Sequence, residues 1–79
     1  MRLDKFLKVS RIIKRRSVAN EVCDMGRVLL NGKAAKPSAD VKVGDVLELT
    51  MGQKTMKVRI VSVQEFARKE DADSMYEAL

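Results

Sequence analysis

The stretch RSVANEVCDMGRVLLNGKAA, residues 16–35, decides the fold. Its first half carries Val18, Val22 and Met25 at the spacing of a buried helical stripe. Ser17 stands just ahead of that stripe, where a hydroxyl can accept an unpaired N–H of the first turn. Gly26 stands just past it, where a left-handed residue ends a helix, and Arg27 follows at the negative end of the helix dipole. Val28-Leu29-Leu30 and Lys33-Ala34-Ala35 then flank Asn31-Gly32, a pair suited to the two positive φ values of a tight hairpin. A helix running straight into a hairpin predicts an α+β fold.

Upstream, Leu3, Phe6, Leu7 and Ser10 share one helical face, which predicts a helix over residues 3–10. Continuing it would turn Ile12 to the side of Lys5, so the chain is expected to break within Ser10–Arg16. Downstream, Pro37-Ser38 opens an irregular stretch and Val43-Gly44-Asp45 is a turn. Leu47, Leu49 and Met51 alternate with Val46, Glu48 and Thr50, the period of a half-buried strand. After a turn at Gly52-Gln53-Lys54, Met56, Val58 and Ile60 repeat the pattern as a second strand continuing to about Val63. Ala72, Met75, Tyr76 and Leu79 share a helical face, so residues 65–79 read as an acidic amphipathic helix. The expected organisation is one domain over 1–79: a core over 1–51, an added strand within 52–64 and the C-terminal helix.

Little in the composition supports catalysis. The 79 residues include no histidine, the commonest general base and metal ligand. One cysteine, Cys23, allows neither an internal disulfide nor a zinc site, and its place in the second helix reads as a small core residue. No phosphate-binding glycine loop occurs, and Glu70, Asp71 and Asp73 lack the spacing of a calcium loop. The expectation is a non-enzyme without metal or cofactor. The charged N-terminus does not read as a signal peptide, and no run of about 18 apolar residues spans a membrane. A cytoplasmic protein is expected.

The charge is placed unevenly. Residues 1–36 carry +7, residues 37–64 carry +1 and residues 65–79 carry −3, giving +5 overall. A positive field concentrated at one end suits a polyanion, because a patch releases condensed counterions together. The candidate contacts are Arg2, Lys5, Lys8, Arg11, Lys14, Arg15 and Arg16, with Arg27 and Lys33 as further ones. Arginine forks can grip a phosphate with two hydrogen bonds. Asp4 stands oddly among them, either as a helix N-terminal acid or as a strut orienting Arg2 or Arg16. The three aromatics do not make a stacking sheet: Phe6 reads as core, and Phe66 and Tyr76 lie toward the acidic end. Readout of RNA shape and backbone is therefore expected.

Arg2-Leu3-Asp4, Leu7, Arg16-Ser17, Ala19, Gly26, Val28, Asn31-Gly32, Pro37-Ser38 and Gly44-Asp45, in this order and spacing, resemble the alpha-L RNA-binding domain of ribosomal protein S-four type. The resemblance covers residues 1 to about 51. It implies two helices and a hairpin as the RNA-contacting surface. Among stand-alone domains, the opening through Arg11, the Lys14-Arg15-Arg16 run, Gly52-Gln53-Lys54 and the segment Glu70 to Tyr76 look most similar to the RqcP group of ribosome-associated quality-control proteins. Heat-shock protein fifteen is the related alternative, though its longer basic C-terminal extension contrasts with this acidic end. A module of an RNA-modifying enzyme is another. The RqcP resemblance implies binding to obstructed large ribosomal subunits through rRNA and peptidyl-tRNA, as a monomer, in support of RqcH-dependent alanine tailing. Arg2, Asp4 and Arg16 would be the sensitive positions.

Overall fold

A computed structural model describes residues 1–79. Leu3, Phe6 and Leu7 are fully buried along one side of the first helix, α1 (Leu3–Val9). The expected break follows at once. Ser10 caps α1, and Arg11 takes a left-handed φ of 63°. The Arg11 N–H reaches the Lys8 carbonyl at 3.1 Å, and the Ile13 N–H reaches that of Leu7 at 3.1 Å. These bonds satisfy the helix's last carbonyls and turn Ile13 into the core.

The second helix, α2 (Arg16–Asp24), differs from the sequence reading in start and face. Arg15, not Ser17, is the N-cap, and no side chain caps the helix. The expected stripe is also displaced: Val18 and Met25 are exposed, whereas Ala19 and Cys23 are buried. Small residues on the buried face let α2 lie close to α1. The end is as expected. Gly26 adopts φ 73°, its N–H bonds Cys23 O at 2.9 Å, and the Arg27 N–H bonds Val22 O at 3.1 Å. This is the paired bonding of a left-handed helix stop.

The sheet follows. Strands β1 (Val28–Leu30) and β2 (Lys33–Ala34) form the hairpin, with Asn31 at φ 52° and Gly32 at φ 87°. Both signs match the turn the Asn-Gly pair predicts. Asn31 does more than turn. Its side-chain amide donates to Asp45 Oδ1 at 3.1 Å, and its Oδ1 accepts the Val46 N–H at 2.9 Å. Asp45 Oδ2 also accepts the Lys42 N–H at 3.0 Å, so the hairpin is tied to the 43–45 turn.

Strand β3 (Val46–Met51) pairs with β1 and with β4 (Lys54–Ile60). Leu47 faces Val58 and Leu49 faces Met56, placing the alternating apolar side chains on one face. Strand β4 ends at Ile60 rather than near Val63. The tail departs furthest from expectation. Its α-helix, α3, spans only Lys69–Ala72, followed by a 3₁₀ turn at Asp73–Met75 and a strand, β5 (Tyr76–Ala78), added to the edge of β4. Ala72 and Met75 are buried as the helical pattern required, but Leu79 is exposed. The antiparallel sheet has the order β2-β1-β3-β4-β5. Thirteen buried residues from both helices, the sheet and the tail share one cluster, including Phe6, Cys23, Leu47, Val58 and Met75. No helix is long and apolar enough to cross a membrane.

Candidate nucleic-acid interface

The interface is organised by a buried carboxylate. Asp4 lies in the first turn of α1 and is almost fully covered. The Arg2 guanidinium donates to both its oxygens, Nε to Oδ1 at 3.2 Å and Nη2 to Oδ2 at 3.3 Å. Arg16, on α2, places Nη2 3.4 Å from Oδ1 and Nε 3.4 Å from Oδ2. Asn20 Nδ2 donates to Oδ2 at 3.2 Å, and the Lys5 backbone N–H to Oδ1 at 2.8 Å. Arg16, Ala19, Asn20 and Cys23 recur at helical spacing, so one face of α2 supplies both the core contact and the partners of Asp4. Asp4 thus sits in the first helical turn and bonds both Arg2 and Arg16 rather than one of them.

Burial alone would push the Asp4 carboxyl up. The hydrogen bonds from Arg16, Arg2, Asn20 and the Lys5 N–H outweigh it and hold the carboxyl below its ordinary range. Arg2 and Arg16 remain about half exposed, so their charge is oriented by Asp4 without being hidden. Such a strut lowers the entropy cost of aligning two guanidinium groups on a ligand.

Arg16 forms one wall of a groove of about 820 Å³ between the helices and the 65–69 segment. Lys5, Lys8, Arg11 and Lys14 line it as well, bringing five of the seven N-terminal candidates together. Arg2 instead borders a neighbouring groove of about 500 Å³, beside Lys36, Pro37 and Ser38. Arg15 is exposed and lines neither. Arg27 and Lys33 also lie outside both grooves, Arg27 at the entry to β1 and Lys33 on edge strand β2.

The sheet contrasts with this surface. Lys57 sits 3.6 Å from Glu48, its cross-strand partner, and Arg59 pairs with Glu77 across β4 and β5. At the end of α1 and in the turn that follows it, Lys8, Arg11, Lys14 and Arg15 have no ion pair, and Lys5 of α1 pairs with Glu65. Lys33 and Lys54 on the sheet are unpaired too, but the densest uncompensated charge lies over residues 2–16, with seven cations against Asp4.

Sequence reasoning missed four residues here: Asn20, Lys36, Phe66 and Lys69. Only Asn20 had a usable signal, its one-turn offset from Arg16. Phe66 and Lys69 belong to the acidic segment, which gave no hint that it folds back against the basic groove. Cys23 is 3% exposed. Burial, with Asp4 and Asp24 nearby, pushes its thiol up to about 11, so it stays protonated and unreactive at neutral pH.

Residues 1–47 match the S4 domain family. The chain is 56% identical to the RQC P-site tRNA stabilizing factor of Halalkalibacterium halodurans over 98% of its own length and 88% of that protein's. The chain belongs to the family of RQC P-site tRNA stabilizing factors. The member from Bacillus subtilis is 53% identical over the whole of this chain and 92% of its own. The structure of Vibrio cholerae Heat Shock Protein 15, described as trimeric, superposes with a TM-score of 0.93 at 32% identity, covering 100% of this chain and 81% of that one. The family's S4 match takes in α1, α2 and the hairpin, the elements that carry the Asp4 strut and its arginines.

Proposed function

We propose that this chain is a non-catalytic RNA-binding factor that steadies peptidyl-tRNA on an obstructed large ribosomal subunit. The observation that carries the reading is the basic groove with Arg16 fixed in its wall by buried Asp4. Preoriented arginine forks suit RNA phosphates, and the neighbouring unpaired cations supply the field that draws them in. The names of the relatives, which specify stabilisation of tRNA in the P site, agree with this chemistry. Such a protein contributes geometry and no bond-making group. It binds rRNA and peptidyl-tRNA together in the cytoplasm and, in this role, supports RqcH-dependent addition of alanine to the stalled chain. Comparing alanine-tail length with and without the protein tests it: shorter tails in its absence are expected, and unchanged tails overturn it.

The superposition on Heat Shock Protein 15 favours a second reading, in which the same particle is bound but its stuck tRNA is recycled. Accelerated tRNA release, with no effect on tails, identifies that role.

A further inference from the structure

Phe66 is 89% exposed, the most exposed of the large apolar side chains. Leaving a phenyl ring in water forgoes the stabilisation its burial would give. Its neighbours are held. Glu65 pairs with Lys5 of α1, and Ala67 packs against the core. These attachments bring the 65–67 segment to the basic groove, and Phe66 lines that groove with Lys8, Arg11, Lys14 and Arg16. With Lys5 and Lys69, six cations line the groove, and nothing of the protein covers the ring.

We propose that Phe66 and the adjoining basic groove form a stacking site for an unpaired nucleotide of the bound RNA. The cations hold the backbone phosphates, and the phenyl face takes the base beside them. Inside a duplex both faces of each base are occupied by stacking, so the ligand class is a nucleotide in a loop, bulge or single-stranded end. The chemistry favours nucleic acid over a protein partner: one exposed ring among six cations is too small an apolar patch for a stable protein interface, whereas aromatic stacking within a cationic groove is how unpaired bases are held. Any base offers a π-face, so the site reads the absence of pairing rather than a sequence. The inference rests on the RNA-binding reading and adds a base contact to it.

The chain has no tryptophan, so Phe66→Trp introduces a sole indole reporter. The probes are an RNA hairpin with an unpaired loop, a blunt duplex of the same stem and a poly-glutamate peptide. Indole emission is expected to be quenched by the hairpin and not by the duplex. Phe66→Ala is expected to weaken hairpin binding roughly five- to 150-fold, with its salt slope and duplex affinity unchanged. Phe66→Trp should bind the hairpin at least as well as the native chain. Phe66→Ala with native hairpin affinity, equal loss on hairpin and duplex, or quenching by the peptide alone overturns the stacking site. Lys14→Ala separates this from the underlying reading. If it weakens both RNAs while Phe66→Ala weakens neither, only the stacking site fails; if it changes neither affinity nor salt slope, RNA binding through this groove fails too.

Discussion

Asp4 and Arg11 show how single residues bear cost in favour of a surface. Asp4 is a buried anion whose partners are all donors, and its lowered pKa fixes the sign of its pH dependence. Its contribution to stability is fully present well above the ordinary value of 3.8 and is lost as pH falls from there through the depressed folded value. Asp4→Ala is expected to destabilise the fold by about 1–3 kcal/mol at neutral pH in urea unfolding, and the loss should shrink as pH falls below 3.8, where the unfolded carboxyl takes up a proton while the folded one still resists it. The same substitution frees Arg2 and Arg16 and should weaken RNA binding with little change in salt slope, since both cations remain. Arg11 is a different case. A non-glycine residue at φ 63° carries a backbone penalty of about 1–2 kcal/mol. Arg11→Gly should therefore raise stability by about 1 kcal/mol in thermal or urea unfolding. It should also lower RNA affinity and reduce the salt slope by about 0.7–0.9, one phosphate contact. The basicity of the segment was legible in the sequence, but the left-handed backbone under Arg11 was not, because arginine does not announce such a position as glycine or asparagine does.

At the scale of elements, most local signals were read correctly, the start of α2 at Arg15 rather than Ser17 being the exception. The break after Ser10, the stop at Gly26, the Asn31-Gly32 hairpin and the alternation through Leu47, Leu49, Val58 and Ile60 follow from bonds between near neighbours or from a two-residue period. Gly26→Ala places a Cβ at φ 73° and should cost about 1–2 kcal/mol in urea unfolding, although nothing crowds that Cβ. What was misread depends on distant partners. Hydropathy favoured Val18 and Met25 as the inner face of α2, yet close packing on α1 selects the smaller Ala19 and Cys23, and the Asp4 strut selects Arg16 and Asn20. The tail's helical pattern, Ala72 to Tyr76, is satisfied by one helical turn and a 3₁₀ turn. Strand β5 then forms because β4 offers an unpaired edge and Arg59 faces Glu77 there. Cys23 reports on the α1–α2 contact: its thiol should resist alkylation in the native protein and react on unfolding, as mass spectrometry would show.

Over the whole molecule, residues 2–16 gather seven cations against one acid, Asp4, whereas Lys57 and Arg59 on the sheet are paired with Glu48 and Glu77, which turns a net charge of +5 into a directional field. The sequence alone located the charge at residues 1–36 but not its separation into a groove that gathers five of those cations with Lys69, a second groove at Arg2 and Lys36, and remote Arg27 and Lys33. That division depends on how α1, α2 and the 65–69 segment come together. If about five phosphates are neutralised, log affinity should fall against log salt with a slope on the order of −3.5 to −4.5. The most direct test is co-sedimentation of the full chain with purified large subunits carrying peptidyl-tRNA, comparing the native protein with Arg16→Ala. Arg16→Ala leaves Asp4 bonded to Arg2, Asn20 and the Lys5 N–H, so folding should be retained. The native chain should pellet with the subunits and the folded variant should stay in the supernatant; a folded Arg16→Ala that pellets like the native chain contradicts the assignment of this face.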